Sequence, residues 1–264
     1  MNLFQSIIIA VIEGITEFLP ISSTAHMKFA NPVLGVSNSP FVELYEVVIQ
    51  LAAIASILVV YRKQFFNFKQ WDFYVKLIVA VLPALVFGAL LKKHIDAALS
   101  NLTAIACVML VGGIVLLFID RLFEKNATIQ AQGPTFKNSF IIGCFQVLSI
   151  LFPGLSRSAA TIIGGMTQQL SKKAAAEFSF FLAVPTMLAA SAKSTLDVYK
   201  ADASVFNSNN LVTLAIGGAV AFIVALITVK FFIQIVQKSG FAIFGWYRIV
   251  LGALILGLLY FQYL

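Results

Sequence analysis

The chain has 264 residues, of which 60% are hydrophobic and only 11% are charged, and its mean hydropathy is +0.96. Soluble domains are about 45–50% apolar and about 25% charged, so this composition excludes an ordinary water-soluble domain. The net charge of +7 does not indicate a nucleic-acid partner, because the basic residues lie in short connections between apolar runs, as they do in membrane proteins. We therefore predict an all-α polytopic membrane protein.

The first apolar segment, residues 2–30, is interrupted by Glu13, Glu17, Pro20 and a run of hydroxyl residues. The arms on either side of this break are too short to cross about 30 Å of hydrocarbon, which predicts a re-entrant helical hairpin. Three membrane spans are predicted to follow it, at residues 41–61, 73–91 and 102–119.

A second broken segment, residues 137–170, is interrupted by Pro153, Gly154 and Arg157 and predicts a second re-entrant hairpin. Three further spans are predicted at residues 174–192, 211–229 and 244–263. With a polar linker at 120–135, the chain is predicted to be one membrane domain in which residues 1–119 and 136–264 form two repeats.

Residue spacing supports this duplication. Glu13 precedes Pro20 by seven positions, a spacing that recurs at the second break, and the same offset matches Ser23 with Ser156. Because each repeat has an odd number of spans, the second repeat must be inverted relative to the first. An excess of Lys and Arg in the loops of one side predicts that this side is cytoplasmic. The hairpins then enter from opposite faces, and their tips meet near the midplane of the membrane.

The acidic residues of the first break predict a cation site. Glu13 and Glu17 are four residues apart and share one face of a helix. An ionisable residue in mid-membrane costs about 2.5–3.5 kcal/mol, so such a pair is expected only with a cation between the carboxylates or a proton on one of them. Oxygen ligands favour Mg²⁺ or Ca²⁺ over zinc.

The hydroxyl residues of the first break predict an anion site beside the acidic pair. Pro20 ends the first helical arm, and Ser22, Ser23 and Thr24 form an N-cap cluster for the second arm. A helix N-terminus presents free backbone N–H groups to an anion. His26 follows within one turn and can take or deliver a proton near neutral pH.

The second break predicts a cation facing that site. Arg157 has a planar fork of donors that suits phosphate oxygens, and it is surrounded by Ser156, Ser158 and Thr161. Leaving this guanidinium and the two carboxylates unpaired in the membrane would cost on the order of 8–10 kcal/mol. The three charges together therefore favour a functional site over a structural role.

These two breaks closely resemble the signatures of the bacterial undecaprenyl-pyrophosphate phosphatase family of the bacitracin-resistance type. Its acidic motif is similar to EGITEFLPISSTAH at residues 13–26, and its arginine motif is similar to PGLSRS at residues 153–158. The stretch from Glu46 to Gln50 also resembles the family. Two departures are Ala25 and Ala159, which stand where members commonly carry glycine.

The resemblance implies a bacterial inner-membrane enzyme that removes one phosphate from undecaprenyl pyrophosphate, with a divalent cation and an active site open to the periplasmic face. The partners it implies are this lipid substrate and membrane lipids. On this interpretation the catalytic residues are Glu17, Ser23, His26 and Arg157. The metal ligands are Glu13 and Glu17. The substrate-binding residues are Ser22, Thr24, Ser156, Ser158, Thr161, Glu46 and Gln50.

Several alternatives stay open at this stage. Spacing does not decide whether Ser23 attacks, His26 attacks or His26 activates water, and we favour His26 as a base. Broken helices and inverted repeats are also typical of transporters, so a secondary transporter or flippase for an anionic lipid is the alternative function. The Gly-Gly pairs at 112–113, 164–165 and 217–218 would permit close helix contacts. A homodimer is therefore compatible with the sequence but not required by it.

Overall fold

The computed structural model describes residues 1–125 and 133–262, except for the side chain of Lys92. These residues form helices and no strand, which confirms the predicted all-α class. The ten longest helices are α1 (Leu3–Thr16), α2 (Ser23–Val33), α3 (Pro40–Val60), α4 (Trp71–Leu90), α5 (Leu102–Leu122), α6 (Phe136–Leu151), α7 (Arg157–Thr167), α8 (Lys172–Ala201), α9 (Ser208–Ser239) and α10 (Ala242–Tyr260). Shorter helices lie at Arg62–Phe65 and Lys92–Leu99, with a 3₁₀ turn at Ala203–Phe206.

Six of these helices are long and apolar enough to cross a membrane, namely α3, α4, α5, α8, α9 and α10. They coincide with the six predicted spans and confirm a multi-pass membrane protein. Helices α8 and α9 have 30 and 32 residues and are longer than predicted, because hydropathy detects the apolar part of a helix and not its polar extension. Residues 126–132 of the predicted linker and residue 263 of the last predicted span lie outside the described residues.

The first arms of the two broken segments are short helices. Helix α1 has 14 residues, which corresponds to about 21 Å and is less than the hydrocarbon thickness. It begins at a capping box in which Asn2 Oδ1 accepts a hydrogen bond from the Gln5 N–H (2.9 Å) and Gln5 Oε1 accepts one from the Asn2 N–H (2.7 Å). The lengths are compatible with re-entrant hairpins, and re-entry itself stays a prediction.

The first helix of each half packs against a membrane-spanning helix of the other half. Helix α1 of the first half packs against α9 of the second, and α6 of the second half packs against α4 of the first. Equivalent helices of the two halves also contact each other, α3 with α8 and α5 with α10. This reciprocity is expected of two related halves, while their inverted orientation remains a prediction.

The capping geometry changes the predicted alignment of the two tips by one residue. Ser22 and Ser156 are the N-caps of α2 and α7, and both have positive φ, 71° and 77°. Ser22 therefore corresponds to Ser156, and the first helical residues Ser23 and Arg157 correspond to each other. The second tip has one additional residue, Gly154, whose φ of +99° favours glycine. The predicted match of Ser23 with Ser156 is wrong by this one residue.

The Gly-Gly pairs are used for packing inside the chain. A Cβ at Gly112 would collide with the guanidinium of Arg248, and one at Gly217 would collide with the ring of Tyr45. The pair at 164–165 likewise packs against neighbouring helices. These glycines therefore give no support to a homodimer.

Candidate active site

The two broken segments touch at their tips. Arg157 Nη2 of the second tip lies 2.9 Å from Glu17 Oε1 of the first, although 140 positions separate the two residues in the sequence. The side chains of this ion pair are only 13% and 6% exposed. The Ser158 hydroxyl also donates to the Leu19 carbonyl at 2.9 Å. The acidic and arginine motifs thus form one buried polar site.

Glu17 lies at the centre of this site because the helix before it ends there and two helices begin beside it. Its N–H donates to the Glu13 carbonyl in the last turn of α1. The Ser23 hydroxyl donates to Glu17 Oε2 at 2.6 Å, while Arg157 holds Oε1. Since Ser23 and Arg157 are the first residues of α2 and α7, the N-termini of both helices lie beside one carboxylate. Their first amides have no intrahelical acceptor, so this arrangement favours an anion.

Two of the predicted substrate-binding hydroxyls are helix caps. Ser22 Oγ accepts a hydrogen bond from the Ala25 N–H, and Ser156 Oγ accepts one from the Ala159 N–H, both at 3.3 Å. The two residues that donate these hydrogen bonds, Ala25 and Ala159, are also the positions where family members commonly carry glycine. Ala25 and Ala159 are buried in helical conformation, so the missing glycine does not disturb either turn.

The other predicted hydroxyls differ in their availability. Ser158 bonds Ser156 Oγ at 2.9 Å, and Thr161 bonds Ser179 Oγ at 2.7 Å, so both have partners within the protein. Thr24 is half-buried at the start of α2, and its hydroxyl has no hydrogen-bond partner among the described residues. Thr24 is thus the hydroxyl best placed to bind a ligand without first breaking a contact.

Glu13 has the chemistry expected of a metal ligand. Its side chain is fully buried, and among the described residues neither carboxylate oxygen accepts a hydrogen bond from a donor. Glu17, Glu46 and Arg157 are all close enough to interact with it electrostatically. The described residues contain no cluster of three or more His, Cys, Asp or Glu that would enclose a metal. Mg²⁺ is commonly held by one or two carboxylates together with substrate phosphates and water, so a divalent cation fits this pair.

Glu46 and Gln50, which only the family resemblance suggested, differ in position. Glu46 Oε2 pairs with Lys28 Nζ at 2.9 Å, and its Oε1 accepts a hydrogen bond from Asn31 Nδ2 at 2.7 Å. Both partners come from α2, so Glu46 anchors that helix against α3 beside the site. Gln50 lies one turn further along α3 and is half-buried, and among the described residues it makes no hydrogen bond with Glu17 or Arg157.

His26 is held in one orientation by two contacts. Its Nδ1 lies 2.8 Å from the Ser22 carbonyl and its Nε2 lies 2.8 Å from the Tyr247 hydroxyl. A carbonyl only accepts hydrogen bonds, so Nδ1 carries the proton. The sequence favoured His26 as the base for Ser23, but the Ser23 hydroxyl bonds to Glu17 instead.

Arg248 is a site residue that sequence reasoning missed. It is fully buried in α10 and donates to the carbonyls of Pro20 (3.0 Å), Gly154 (2.8 Å) and Leu155 (2.7 Å). It also donates to the Met109 carbonyl of α5 at 3.1 Å. Through these hydrogen bonds the Arg248 guanidinium connects both tips to helices α5 and α10. An arginine within the predicted span 244–263 was the signal, because ionisable residues inside spans are rarely without a role.

Comparison with known proteins places this chain in a family. Residues 6–254 match the family described as bacitracin resistance protein BacA. The chain belongs to the BacA family. This membership confirms the family resemblance, which covers nearly the whole chain.

Relatives of this BacA-family chain are named undecaprenyl-diphosphatase. One from Flavobacterium johnsoniae is 49% identical, and the match covers 97% of this chain and 96% of the relative. Others from Bdellovibrio bacteriovorus and Porphyromonas gingivalis are 45% and 44% identical, each over 98% of this chain and 97% of the relative. The chain therefore spans essentially the full length of these BacA-family relatives.

Proposed function

We propose that this chain is an undecaprenyl-diphosphatase, which hydrolyses undecaprenyl pyrophosphate to undecaprenyl phosphate and inorganic phosphate. The names of its relatives support the substrate. The observation that carries the chemistry is the buried Glu17 carboxylate held between Ser23 and Arg157 at two helix N-termini. The reaction regenerates the lipid carrier of cell-wall synthesis, which accounts for bacitracin resistance in the family.

The terminal phosphate of the substrate binds where the two helices begin. Arg157 provides a planar fork of donors for phosphoryl oxygens, and the first amides of α2 and α7 provide further N–H groups. Arg157 Nη1 is itself fixed by the Ser179 carbonyl at 3.0 Å, so the guanidinium is oriented before substrate arrives. Charge that develops on the transferring phosphoryl group is stabilised by these fixed donors.

Ser23 is the proposed nucleophile, because its hydroxyl already donates to a carboxylate. Its Oγ bonds to the terminal phosphorus as the anhydride P–O bond breaks, and undecaprenyl phosphate leaves while Glu17 takes the serine proton. Water then attacks the phosphoserine, and His26 Nε2 accepts a proton from this water. Ser23 Oγ leaves phosphorus and recovers its proton from Glu17, and His26 releases its proton to solvent with inorganic phosphate.

Phosphate release by the purified protein in detergent tests this function directly. The wild-type protein should release inorganic phosphate from undecaprenyl pyrophosphate, and Ser23→Ala should lower kcat about 100-fold or more. Transport alone does not explain hydrolysis in a micelle, because a micelle has no second compartment. A wild-type protein that moves lipid between leaflets of a vesicle without releasing phosphate would favour a flippase and contradict the proposal.

The proposal also places a divalent cation, Mg²⁺ or Ca²⁺, on Glu13 and Glu17. When bound, the cation neutralises diphosphate charge and polarises its oxygens. The support is the buried Glu13 carboxylate, which has no donor partner among the described side chains, since an unpaired buried carboxylate is costly. Glu17, which also contacts Ser23 and Arg157, provides the second oxygen ligand.

Removal of metal should therefore abolish phosphate release, and added Mg²⁺ or Ca²⁺ should restore it. Glu13→Gln should raise the metal concentration needed for half-maximal activity about 10-fold or more, because it removes the charged ligand. Titration of chelator-treated protein with each cation measures this. Full activity in excess chelator, together with an unimpaired Glu13→Gln variant, would instead indicate that Glu13 carries a proton.

We further propose that the site opens to the outer face of the bacterial inner membrane. The support is the excess of basic residues in the loops on the opposite side, where exposed Arg62 and Lys63 follow the end of α3. With this orientation, substrate reaches the N-termini of the two short helices from the outer leaflet. The isoprenyl chain then lies along the apolar helix surfaces in lipid.

A further inference from the structure

Tyr247 of α10 contacts the ring of His26 from outside the first hairpin. Its hydroxyl lies 2.8 Å from His26 Nε2, and the two rings are nearly parallel, with 8° between their planes. Among the described residues, no other side chain hydrogen-bonds to this imidazole. We infer that Tyr247 is a positioning residue that holds His26 in its reactive orientation, an inference that rests on the function proposed above.

The hydrogen-bond pattern explains why a tyrosine suits this position. The Ser22 carbonyl fixes the proton of the neutral ring on Nδ1, so Nε2 is the atom that gains and loses a proton. A phenol donates to Nε2 when the ring is neutral and accepts from it when the ring is protonated. Because Nε2 has a single lone pair, the Tyr247 hydroxyl gives way when water donates to this nitrogen, and it accepts a hydrogen bond from the protonated ring afterwards.

The position of Tyr247 is fixed by its neighbour in the chain. Arg248 donates to the Pro20 carbonyl of the first tip and to the Leu155 carbonyl of the second. The backbone of α10 is thereby held against both tips at the turn that carries Tyr247. Although the tyrosine is 45% exposed, its hydroxyl is held at the edge of the site. His26 is thus held from α2 on one side and from α10 on the other.

Nitrogen NMR of His26 tests the contact without any assay of activity. The chain has two histidines, so the His94→Gln variant, which changes an exposed residue, leaves His26 as the only imidazole. In this background the spectrum should show a proton on Nδ1 and a hydrogen-bonded Nε2. Tyr247→Phe should shift the Nε2 resonance and leave Nδ1 protonated. An Nε2 resonance that is identical with and without the Tyr247 hydroxyl would overturn the inference.

Steady-state kinetics test the consequence for catalysis. Tyr247→Phe should lower kcat about 5- to 30-fold, the equivalent of one lost hydrogen bond, and leave KM within about twofold. The matched control is Tyr260→Phe, the same substitution at an 81% exposed position at the end of α10, which should change neither constant. Unchanged kcat in Tyr247→Phe, or an equal fall in Tyr260→Phe, would overturn the positioning role.

The two measurements separate this inference from the proposed function. If wild-type protein releases no phosphate from undecaprenyl pyrophosphate, the proposed function is contradicted, and the positioning role in that reaction is overturned with it. The NMR spectra still decide whether Tyr247 orients His26. If wild-type protein is active and Tyr247→Phe is unchanged in both spectrum and rate, only the role of Tyr247 is overturned.

Discussion

Arg157→Ala should lower kcat/KM for phosphate release about 10³- to 10⁵-fold, the range found when an arginine that stabilises a transferring phosphoryl group is removed. In the structure this guanidinium joins the two tips through Glu17 and is fixed by the Ser179 carbonyl. No other arginine reaches Glu17 among the described residues. Its loss therefore removes both a donor for phosphate and the partner of a buried carboxylate.

Substitution of Arg157 by lysine tests whether the positive charge alone is sufficient for activity or whether the planar arrangement of guanidinium donors is also needed. Arg157→Lys keeps the positive charge but not the planar fork, so it should retain more activity than the alanine variant and less than wild type. Arg121→Ala, an exposed residue near the end of α5, is the control and should keep wild-type kinetics. Wild-type turnover by a well-folded Arg157→Ala protein would contradict the assignment of the site.

Arg248→Met should reduce both stability and activity, because the buried guanidinium is the common donor for carbonyls of both tips. Each buried carbonyl left without a donor costs about 1–3 kcal/mol, although such costs do not simply add. We expect a loss of about 3 kcal/mol or more in the free energy of unfolding. The phosphate-release rate should fall as well, since the helix N-termini that bind the phosphate lose their common support.

Thermal unfolding in mild detergent, with activity measured well below the transition, separates these two effects. Arg248→Lys retains a charge but cannot reach three segments at once, so it should be intermediate in both measurements. Arg62→Ala, exposed at the end of α3, is the matched control and should be neutral. A wild-type melting temperature and rate in Arg248→Met would show that the tips do not depend on this residue.

The parts of the site that could be predicted from sequence are those whose residues are costly in a membrane. Glu13, Glu17 and Arg157 could each be identified because an isolated charge in an apolar segment requires a partner. The six spans could be predicted from hydropathy for a related reason, since a segment of about 20 apolar residues has few other stable environments. These predictions depend on residue type and need no knowledge of packing.

The parts that sequence reasoning missed depend on three-dimensional contacts. Arg248 pairs with backbone carbonyls, and a carbonyl that needs a donor has no signature in the sequence. The contact of Tyr247 with His26 joins residues 221 positions apart. The one-residue error in aligning the tips arose because a constant sequence offset does not allow for the additional residue, Gly154, in the second tip. The geometry of the first tip placed Ser23 beside Glu17 rather than His26.

The most direct test of the account is a structure of the protein with a methylene-bridged diphosphonate analogue of the lipid substrate and Mg²⁺. The account predicts that the terminal phosphonate lies between Ser23 and Arg157, against the first amides of α2 and α7, with the metal on Glu13. A diphosphonate bound elsewhere, with the Glu17–Arg157 ion pair unchanged and Glu13 free of metal, would contradict it.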